Sequence, residues 1–198
     1  MSLLIETIRL CDGVFNNLTY HQIRMNRAFK EVFQKEVSWK LEEMLQTQKF
    51  PTKGLYRCRV SYDSENKEVE FVSYEVKPIK TLKQVYDDTI SYAHKFKDRK
   101  NIEQLFAKRG DCDDILIIRK GWVTDTFYAN IIFKKDNLWF TPSSCLLQGT
   151  MRQYLIDQNE VRVMDIREED ILQFETFKLV NAMLLDGGPE IGISKLLF

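Results

Sequence analysis

Histidine and cysteine are scarce in this chain, with two and four residues among 198. The cysteines are widely separated and form no C-x-x-C pair, and they lie at positions Cys11, Cys58, Cys112 and Cys145. Metal sites built on thiolate and imidazole need such ligands at short, regular spacings. We therefore predict no metal site, and free thiols indicate a reducing cytoplasm.

An excess of either charge is also missing, because Lys+Arg and Asp+Glu both number 29. This balance excludes a bulk attraction to nucleic acid or to an anionic membrane. No apolar run approaches the length that spans a membrane, and residues 1–5 are too few for a signal peptide before Glu6. We expect small-molecule partners, with neither nucleic acid nor membrane among them.

The first part of the chain predicts a strand, two helices and a hairpin. Residues 3–10 are apolar enough for a strand, and the T-x-x-Q pattern at 19–22 is typical of a capping box that opens a helix. A second helix is predicted over 39–47, with Ser38 as its N-cap. Alternating apolar residues then predict a hairpin over 56–76.

A lobe boundary is predicted after Pro78, which breaks the second hairpin strand and precedes the polar segment PIKTLK. The expected lobes are residues 1–80 and 81–198. In the second lobe, the patterns predict a helix from Arg99 with Asp98 as its N-cap. They also predict a helix ending near residue 157 and several strands, at 114–119, 161–166 and 174–183. Helices and strands mix without regular βαβ alternation, which indicates an α+β fold.

Asp125 lies among apolar residues in the stretch GWVTDTFYANIIF, where a solvated charge is not expected. About twenty-five residues later, Gly149, Thr150 and Met151 open a predicted helix. Free backbone N–H groups and the helix dipole favour an anion at such a position. A buried acid and an anion site together suggest one ligand with a cationic end and an anionic end.

Arg24 and His21 lie on the inward face of the first predicted helix. The conservative interpretation is that Arg24 reaches the rim of the core and His21 is a hydrogen-bonded core residue. The alternative is that the inward guanidinium of Arg24 binds a phosphate or a carboxylate in a bidentate manner.

Lys97 lies in the most basic window of the chain, residues 91–110, just ahead of a predicted helix. Positive neighbours and a helix N-terminus both disfavour the ammonium form, and so favour a nucleophilic amine if the lysine is also desolvated. Spacing alone leaves a solvated run of charges as the simpler interpretation. An RNA-contacting patch is a third interpretation, although few aromatic residues are interleaved.

Six segments carry a family resemblance, and they occur in the order ETIRL, YHQIRMNRAF, KDRKNIEQL, GWVTDTFYANIIF, TPSSCLLQGTMRQYL and LVNAM. This order resembles the class IV aminotransferases. That family is the fold-type IV pyridoxal-phosphate group of branched-chain and D-amino-acid aminotransferases and 4-amino-4-deoxychorismate lyases. The most specific parts are T-D/E-x-x-x-x-N, T-P and L-x-G-x-x-R. The resemblance implies a two-lobed α+β fold and a homodimer.

The resemblance also implies a set of cofactor-binding positions. Lys97 matches the Schiff-base lysine, Asp125 the acid that faces the pyridine nitrogen, and Arg24 the arginine on the phosphate. The backbone of Thr150 and Met151 would complete the phosphate cup, with Asn181 and Ala182 near it. Each role has a physical reason, since a carboxylate keeps the pyridine protonated and a dianion favours an arginine with amides.

This sequence departs from the family pattern at Asp125, where a glutamate is usual, and the change shortens the side chain by one methylene. Within the family, the segments GTMRQ and LVNAM favour a 4-amino-4-deoxychorismate lyase. The presence of Ile102 where many branched-chain enzymes have tyrosine, and the short chain, point the same way. The alternatives are an aminotransferase acting on a small amino acid and a non-catalytic relative without cofactor. Arg9 is a candidate for binding a substrate carboxylate.

Overall fold

Two groups of contacts organise the chain, and each forms a unit with its own sheet structure. The computed structural model describes residues 3–184 and 187–197. The first unit contains the residues up to Val76 together with His94–Asp98, and the second contains Lys77–Ala93 and the residues from Arg99 onward. Helices and strands are mixed without βαβ repetition, which confirms the predicted α+β class.

The first unit is built on an antiparallel sheet in the order β2-β1-β3-β4. Its strands are β1 (Leu4–Cys11), β2 (Val14–Phe15), β3 (Leu55–Tyr62) and β4 (Lys67–Ser73). One face packs against α1 (Leu18–Ala28), which continues as a π-helical turn over Phe29–Phe33, and against α2 (Leu41–Gln46). Alternation along β1 places Leu4, Ile8 and Leu10 in this core, beside Met25 of α1.

The predicted helix caps of the first unit are wrong. Helix α1 starts after Asn17, whose backbone is left-handed (φ 60°), and no side chain caps it. The Gln22 side chain, expected in a capping box, instead accepts a hydrogen bond from the Leu41 N–H at 2.6 Å. It ties α1 to the start of α2 and is therefore not used at its own helix end. The N-cap of α2 is Lys40 rather than Ser38.

The second unit stacks two sheets between two helices. One sheet has the order β13-β5-β6-β7, and the other has the order β10-β9-β8-β11-β12. The elements are β5 (Leu82–Tyr86), α3 (Lys100–Phe106), β6 (Asp114–Arg119), β7 (Trp122–Thr126), β8 (Asn130–Lys135), β9 (Leu138–Pro142), α4 (Thr150–Asp157), β10 (Val161–Met164), β11 (Thr176–Val180), β12 (Ile191–Gly192) and β13 (Leu196–Leu197).

Side-chain alternation explains the layers of the second unit. Leu116 and Ile118 of β6 share a core with Ile131 and Phe133 of β8, so the two sheets pack face to face. The intervening residues of β6 pack against α3, and Ile132 of β8 packs against α4. Each central strand is therefore buried on both faces, which accounts for its continuous apolar run.

Several boundaries differ from the sequence expectation. Strand β5 lies where the polar segment after Pro78 predicted only a linker. The strand was missed because its apolar residues Leu82 and Val85 are three positions apart and do not alternate. Strand β9 was not predicted either. The N-cap of α3 is Arg99 rather than Asp98. No helix among residues 3–184 and 187–197 is both long and apolar enough to cross a membrane.

Candidate active site

Arg24 of the first unit is held by a buried acid that the sequence interpretation overlooked. The carboxylate of Glu6 on β1 accepts from Arg24 Nε at 3.0 Å and from Arg24 Nη2 at 2.5 Å. The Glu6 oxygen that accepts from Arg24 Nη2, Oε2, also lies 2.6 Å from Nδ1 of His21. Both Glu6 and His21 are fully enclosed, with 1% and 0% of their surface exposed. Arg24 therefore has a fixed, bidentate orientation on the inner face of α1.

Opposing effects set the protonation of this cluster. Burial raises the pKa of Glu6, but Arg24 and His21 outweigh burial and hold the pKa at about 2. Burial lowers the pKa of His21, and the hydrogen bond to Glu6 opposes that shift only in part. At neutral pH the cluster is an ionised carboxylate paired with an arginine, beside a histidine that favours its neutral form. His21 is a hydrogen-bonded core residue, as the conservative interpretation expected. Arg24 is bidentate on the protein's own Glu6, so its binding of a phosphate stays a prediction.

Lys97 is fixed to the same strand through its backbone. Its N–H donates to the carbonyl of Leu3 at 2.8 Å, and the N–H of Ile5 donates to the carbonyl of Lys95 at 2.9 Å. These bonds pair the segment His94–Asp98 with the start of β1 and leave the Lys97 side chain exposed. Leu3, just before β1, thus holds the backbone of Lys97, and three residues further on Glu6 of β1 holds the side chain of Arg24.

Arg9 lies on the opposite face of the first sheet from Glu6, because the two residues differ by an odd number of positions along β1. It pairs across the ladder with Arg57, and Thr7 pairs with Arg59. Arg9 donates to Asn16 at 3.0 Å, and the buried Nε atoms of all three arginines have no hydrogen-bond partner. Like charges placed directly opposite each other destabilise a sheet, so this face favours an anion.

Asp125 of the second unit is buried, as predicted, with 5% of its surface exposed. One carboxylate oxygen accepts from Asn130 Nδ2 at 2.7 Å, and the other accepts from the Leu147 N–H at 2.8 Å. Burial raises the pKa of Asp125 to about 6, against the lowering effects of these two donors and of Arg152. Both hydrogen-bond donors are neutral and leave the negative charge of Asp125 uncompensated. A cationic partner would supply the compensating charge.

Arg152 and Thr150 mark the start of α4, where an anion site was predicted. Thr150, Met151 and Arg152 are all buried in the first turn, after Gly149 at the N-cap. Arg152 Nε donates to Thr141 Oγ1 at 3.0 Å and its Nη2 donates to the Pro142 carbonyl at 2.9 Å. Arg152 therefore locks the T-P segment to the helix start.

Asn181 and Ala182 follow the end of β11, directly after Val180, which pairs with Asn130. The Asn181 side chain donates to the Tyr128 carbonyl at 3.4 Å and accepts from the Met183 N–H at 2.9 Å. The fold thus brings this pair beside the loop that follows Asp125.

The structure groups the predicted residues within each unit and adds three that received no role. In the first unit Glu6 of β1 holds the side chain of Arg24 and Leu3, just before β1, holds the backbone of Lys97, while Arg9 lies on the other face of the sheet. In the second unit Asp125 is linked through Asn130 to the start of α4. The unassigned residues are Glu6, Asn130 and Arg152. A signal existed for each, since Glu6 has the same strand parity as Leu4 and Ile8, and the other two lie inside the quoted motifs.

Each unit by itself has residues that fit pyridoxal phosphate, the cofactor that the resemblance implies. In the second unit a buried carboxylate with neutral donors suits a protonated ring nitrogen, and the start of α4 suits a phosphate. In the first unit the oriented guanidinium of Arg24 suits a phosphate.

Comparison with known proteins gives matches along almost the whole chain. The model of the family described as amino-transferase class IV matches residues 3–191. An uncharacterized protein of Haemophilus influenzae (strain Rd) is 36% identical over 183 residues, which cover 91% of this chain and 97% of that protein.

Solved structures give the same result for the fold. A putative 4-amino-4-deoxychorismate lyase from Haemophilus somnus 129pt has a TM-score of 0.86 at 34% identity, covering 92% of this chain and 97% of that one. The PLP-bound form of a hypothetical aminotransferase from Mycobacterium tuberculosis has a TM-score of 0.78 at 13% identity, covering 98% and 81%. The second likeness concerns the fold alone. Together they confirm the fold expected from the sequence.

Proposed function

We propose, from the premise that this chain belongs to the class IV aminotransferases and is a pyridoxal-phosphate enzyme, that it is a 4-amino-4-deoxychorismate lyase. The products would be 4-aminobenzoate, a folate precursor, and pyruvate. The observation that carries the proposal is the likeness to the Haemophilus somnus protein, at 34% identity over 92% of this chain. The substrate of an enzyme of this family is a small-molecule amine.

The cofactor, when bound, supplies an electron sink that makes the amine-bearing carbon of the substrate acidic. We assign Arg24 and the backbone of Thr150 and Met151 to the phosphate, with Asn181 and Ala182 beside it. Asp125 would keep the ring nitrogen protonated. The fixed geometry of Arg24 on Glu6 and the buried position of Asp125 support these assignments.

Lys97 would hold the cofactor through its aldehyde, release it to the substrate amine and then accept a proton. That proton leaves the amine-bearing ring carbon, the C–O bond to the enolpyruvyl group breaks, and the ring becomes aromatic. The departing enolpyruvate takes a proton and becomes pyruvate. The backbone of Lys97 is held by Leu3 and its side chain is exposed, so the amine is accessible to an aldehyde but is not desolvated in the protein alone.

Arg9, Arg57 and Arg59 are the group that we assign to substrate carboxylates. The substrate carries two carboxylates, and these three residues lie within one patch of the sheet. The patch includes one acid in contact, Glu70, which lies 3.2 Å from Arg59. The net positive charge supports binding of a dianion.

Pyruvate release tests the lyase reaction directly. Purified protein loaded with cofactor and given 4-amino-4-deoxychorismate should release pyruvate without any keto-acid acceptor. The variant Lys97→Ala should lose at least about 1,000-fold in rate, since it removes both the anchor and the proton acceptor. Exchange of amino groups with 2-oxoglutarate, without pyruvate release, would instead identify an aminotransferase acting on a small amino acid.

The absorption spectrum tests the attachment to Lys97. Purified protein should show a visible band that disappears on borohydride treatment and in Lys97→Ala. A colourless protein that takes up no added cofactor would favour the non-catalytic alternative. We further infer a homodimer, to be tested by light scattering, and a cytoplasmic location, which the four free cysteines support.

A further inference from the structure

Asn130 joins two parts of the second unit that the proposed function assigns to different ends of the cofactor. Its Nδ2 donates to Asp125 Oδ1 at 2.7 Å and to the carbonyl of Leu147 at 2.8 Å. The N–H of Leu147 in turn donates to the other oxygen of Asp125 at 2.8 Å. With 5% of its surface exposed, Asn130 closes a three-residue ring of hydrogen bonds away from water.

The other end of the Asn130 side chain abuts Gly149, the N-cap of α4. A Cβ atom at position 149 would lie 2.0 Å from Asn130 Oδ1 and 3.2 Å from its Cγ. These separations are far below van der Waals contact, so any other residue at 149 would displace Asn130. The glycine is not required by its own dihedral angles, since its φ of −70° and ψ of 142° are open to all residues. The close approach of Asn130 is the reason for it.

We propose that Asn130 is a positioning residue that fixes the carboxylate of Asp125 and the 147–149 segment relative to each other. It thereby sets the spacing between the ring-nitrogen partner and the phosphate cup. The proposal rests on the proposed function, which places Asp125 at the ring nitrogen and the start of α4 at the phosphate.

The physical reason is that a buried carboxylate needs donors to remain ionised. Burial raises the pKa of Asp125, and the Leu147 N–H and the Asn130 side chain are the leading influences that lower it. Without the Asn130 donor, Asp125 loses both orientation and part of its charge at neutral pH. The Leu147 carbonyl loses its partner at the same time, so the segment that leads into α4 is also released.

The test measures cofactor affinity rather than activity. Cofactor-free protein is titrated with pyridoxal phosphate, with pyridoxal, which lacks the phosphate, and with 1-deazapyridoxal phosphate, which lacks the ring nitrogen. Asn130→Leu keeps the approximate shape and removes the donor. We expect its dissociation constant for pyridoxal phosphate to rise at least 10-fold, with a smaller rise for each of the two analogues.

Gly149→Ala provides an independent second variant. It should reproduce the loss, and the double variant should be no worse than either single one, because both act on the same contact. Thr124→Val is the matched control. Thr124 is fully buried in β7, next to Asp125 in the chain, and its hydroxyl donates to the Ile117 carbonyl at 2.7 Å rather than to the Asp125 carboxylate. Thr124→Val should lower the stability against urea, and its dissociation constants for the three cofactor compounds should change by the same factor.

The outcomes separate two failures. If Asp125→Asn leaves the ratio of the dissociation constants for pyridoxal phosphate and its deaza analogue unchanged, the assignment of Asp125 to the ring nitrogen is wrong. If Asp125→Asn changes that ratio and Asn130→Leu does not, the positioning role is wrong. An equal loss for all three cofactors in Asn130→Leu, matching Thr124→Val, would also overturn the positioning role.

Discussion

Glu6 and Asp125 are both buried acids, yet their surroundings shift their protonation in opposite directions. Glu6 has 1% of its surface exposed and a pKa of about 2, whereas Asp125 has 5% exposed and a pKa of about 6. Burial acts in the same direction on both. The difference lies in the partners, since Glu6 pairs with the guanidinium of Arg24 and Asp125 receives neutral N–H donors.

The contrast indicates two different uses of a buried acid. Glu6 forms an ion pair within the protein and serves to orient Arg24. Asp125 is held in place by amides, which orient a carboxylate without cancelling its charge. It therefore suits a cation that arrives from outside, such as a protonated ring nitrogen.

The largest effect is expected where the internal ion pair is broken. Glu6→Gln leaves Arg24 and His21 without the carboxylate that both contact. Removing one partner of a buried pair leaves an uncompensated charge, so the free energy of unfolding should fall by about 3–5 kcal/mol. Urea unfolding at pH 7 measures this loss. A change below about 1 kcal/mol would show that Arg24 is solvated well enough without Glu6.

A gain in stability is expected when Asp114 is replaced by asparagine. Asp114 is the other acid of the second unit whose pKa burial raises to about 6. It is fully buried and accepts from the N–H groups of Ile115 at 2.7 Å and Phe127 at 3.2 Å. Keeping it ionised at neutral pH costs about 1.4 kcal/mol per unit of pKa shift. The shift from 3.8 to about 6 therefore predicts that Asp114→Asn raises the free energy of unfolding by about 3 kcal/mol at pH 7.5.

The gain from Asp114→Asn depends on pH because the carboxyl of Asp114 titrates and an amide does not. A carboxyl whose pKa is raised in the folded state contributes stability below its unfolded pKa, and that contribution is lost as pH rises through about 6. The advantage of Asp114→Asn should shrink as the pH falls from 7.5 to 4.5. Urea titrations at both values measure it. An advantage that is equal at the two pH values would place its origin in packing rather than in charge.

Asp125 itself should respond to the cofactor in a way that Glu6 does not. In cofactor-free protein, carboxyl NMR should show Asp125 titrating near pH 6 and Glu6 still ionised at pH 4. Bound pyridoxal phosphate should lower the Asp125 midpoint by at least about one unit, or about 1.4 kcal/mol, because a cation then faces the carboxylate. An unchanged midpoint would separate Asp125 from the ring nitrogen.

The smallest effect is expected from an exposed pair that has the same chemistry as Glu6 and Arg24. Arg59 lies 3.2 Å from Glu70, whose side chain is 48% exposed. Exposed pairs contribute about 0.2–1 kcal/mol, so Glu70→Gln should lower the free energy of unfolding by less than about 1 kcal/mol. Urea unfolding of this variant is also the control for Glu6→Gln. A loss as large as that of Glu6→Gln would mean that burial does not explain the difference.

The sequence was sufficient for features that depend on local periodicity or on a specific motif. Strands β1 and β6, the hairpin of β3 and β4, and helix α4 were all predicted close to their observed limits, since their apolar patterns are strong. The burial of Asp125 was predictable because a lone carboxylate lay in an apolar run. The family and its fold followed from motifs in a fixed order.

Features that depend on distant partners were not predictable from local pattern. Arg24 and Glu6 are eighteen residues apart, and nothing in the spacing near Arg24 indicates which acid it meets. Gln22 was assigned to its own helix end, but it bonds to Leu41, which lies nineteen residues further on. Strand β5 lies between β6 and β13 in its sheet, and it shows little periodicity of its own.

Leu3 and the strand β1 that follows it limit how this protein can be re-engineered. Leu3 holds the backbone of Lys97, and Glu6, three positions later, holds the side chain of Arg24. Deleting one residue between them would shift the two attachments by about 3.3 Å and turn Glu6 to the opposite face of the sheet. A library aimed at new substrates can therefore vary side chains on the arginine-bearing face of β1, but it has to preserve the length of the strand.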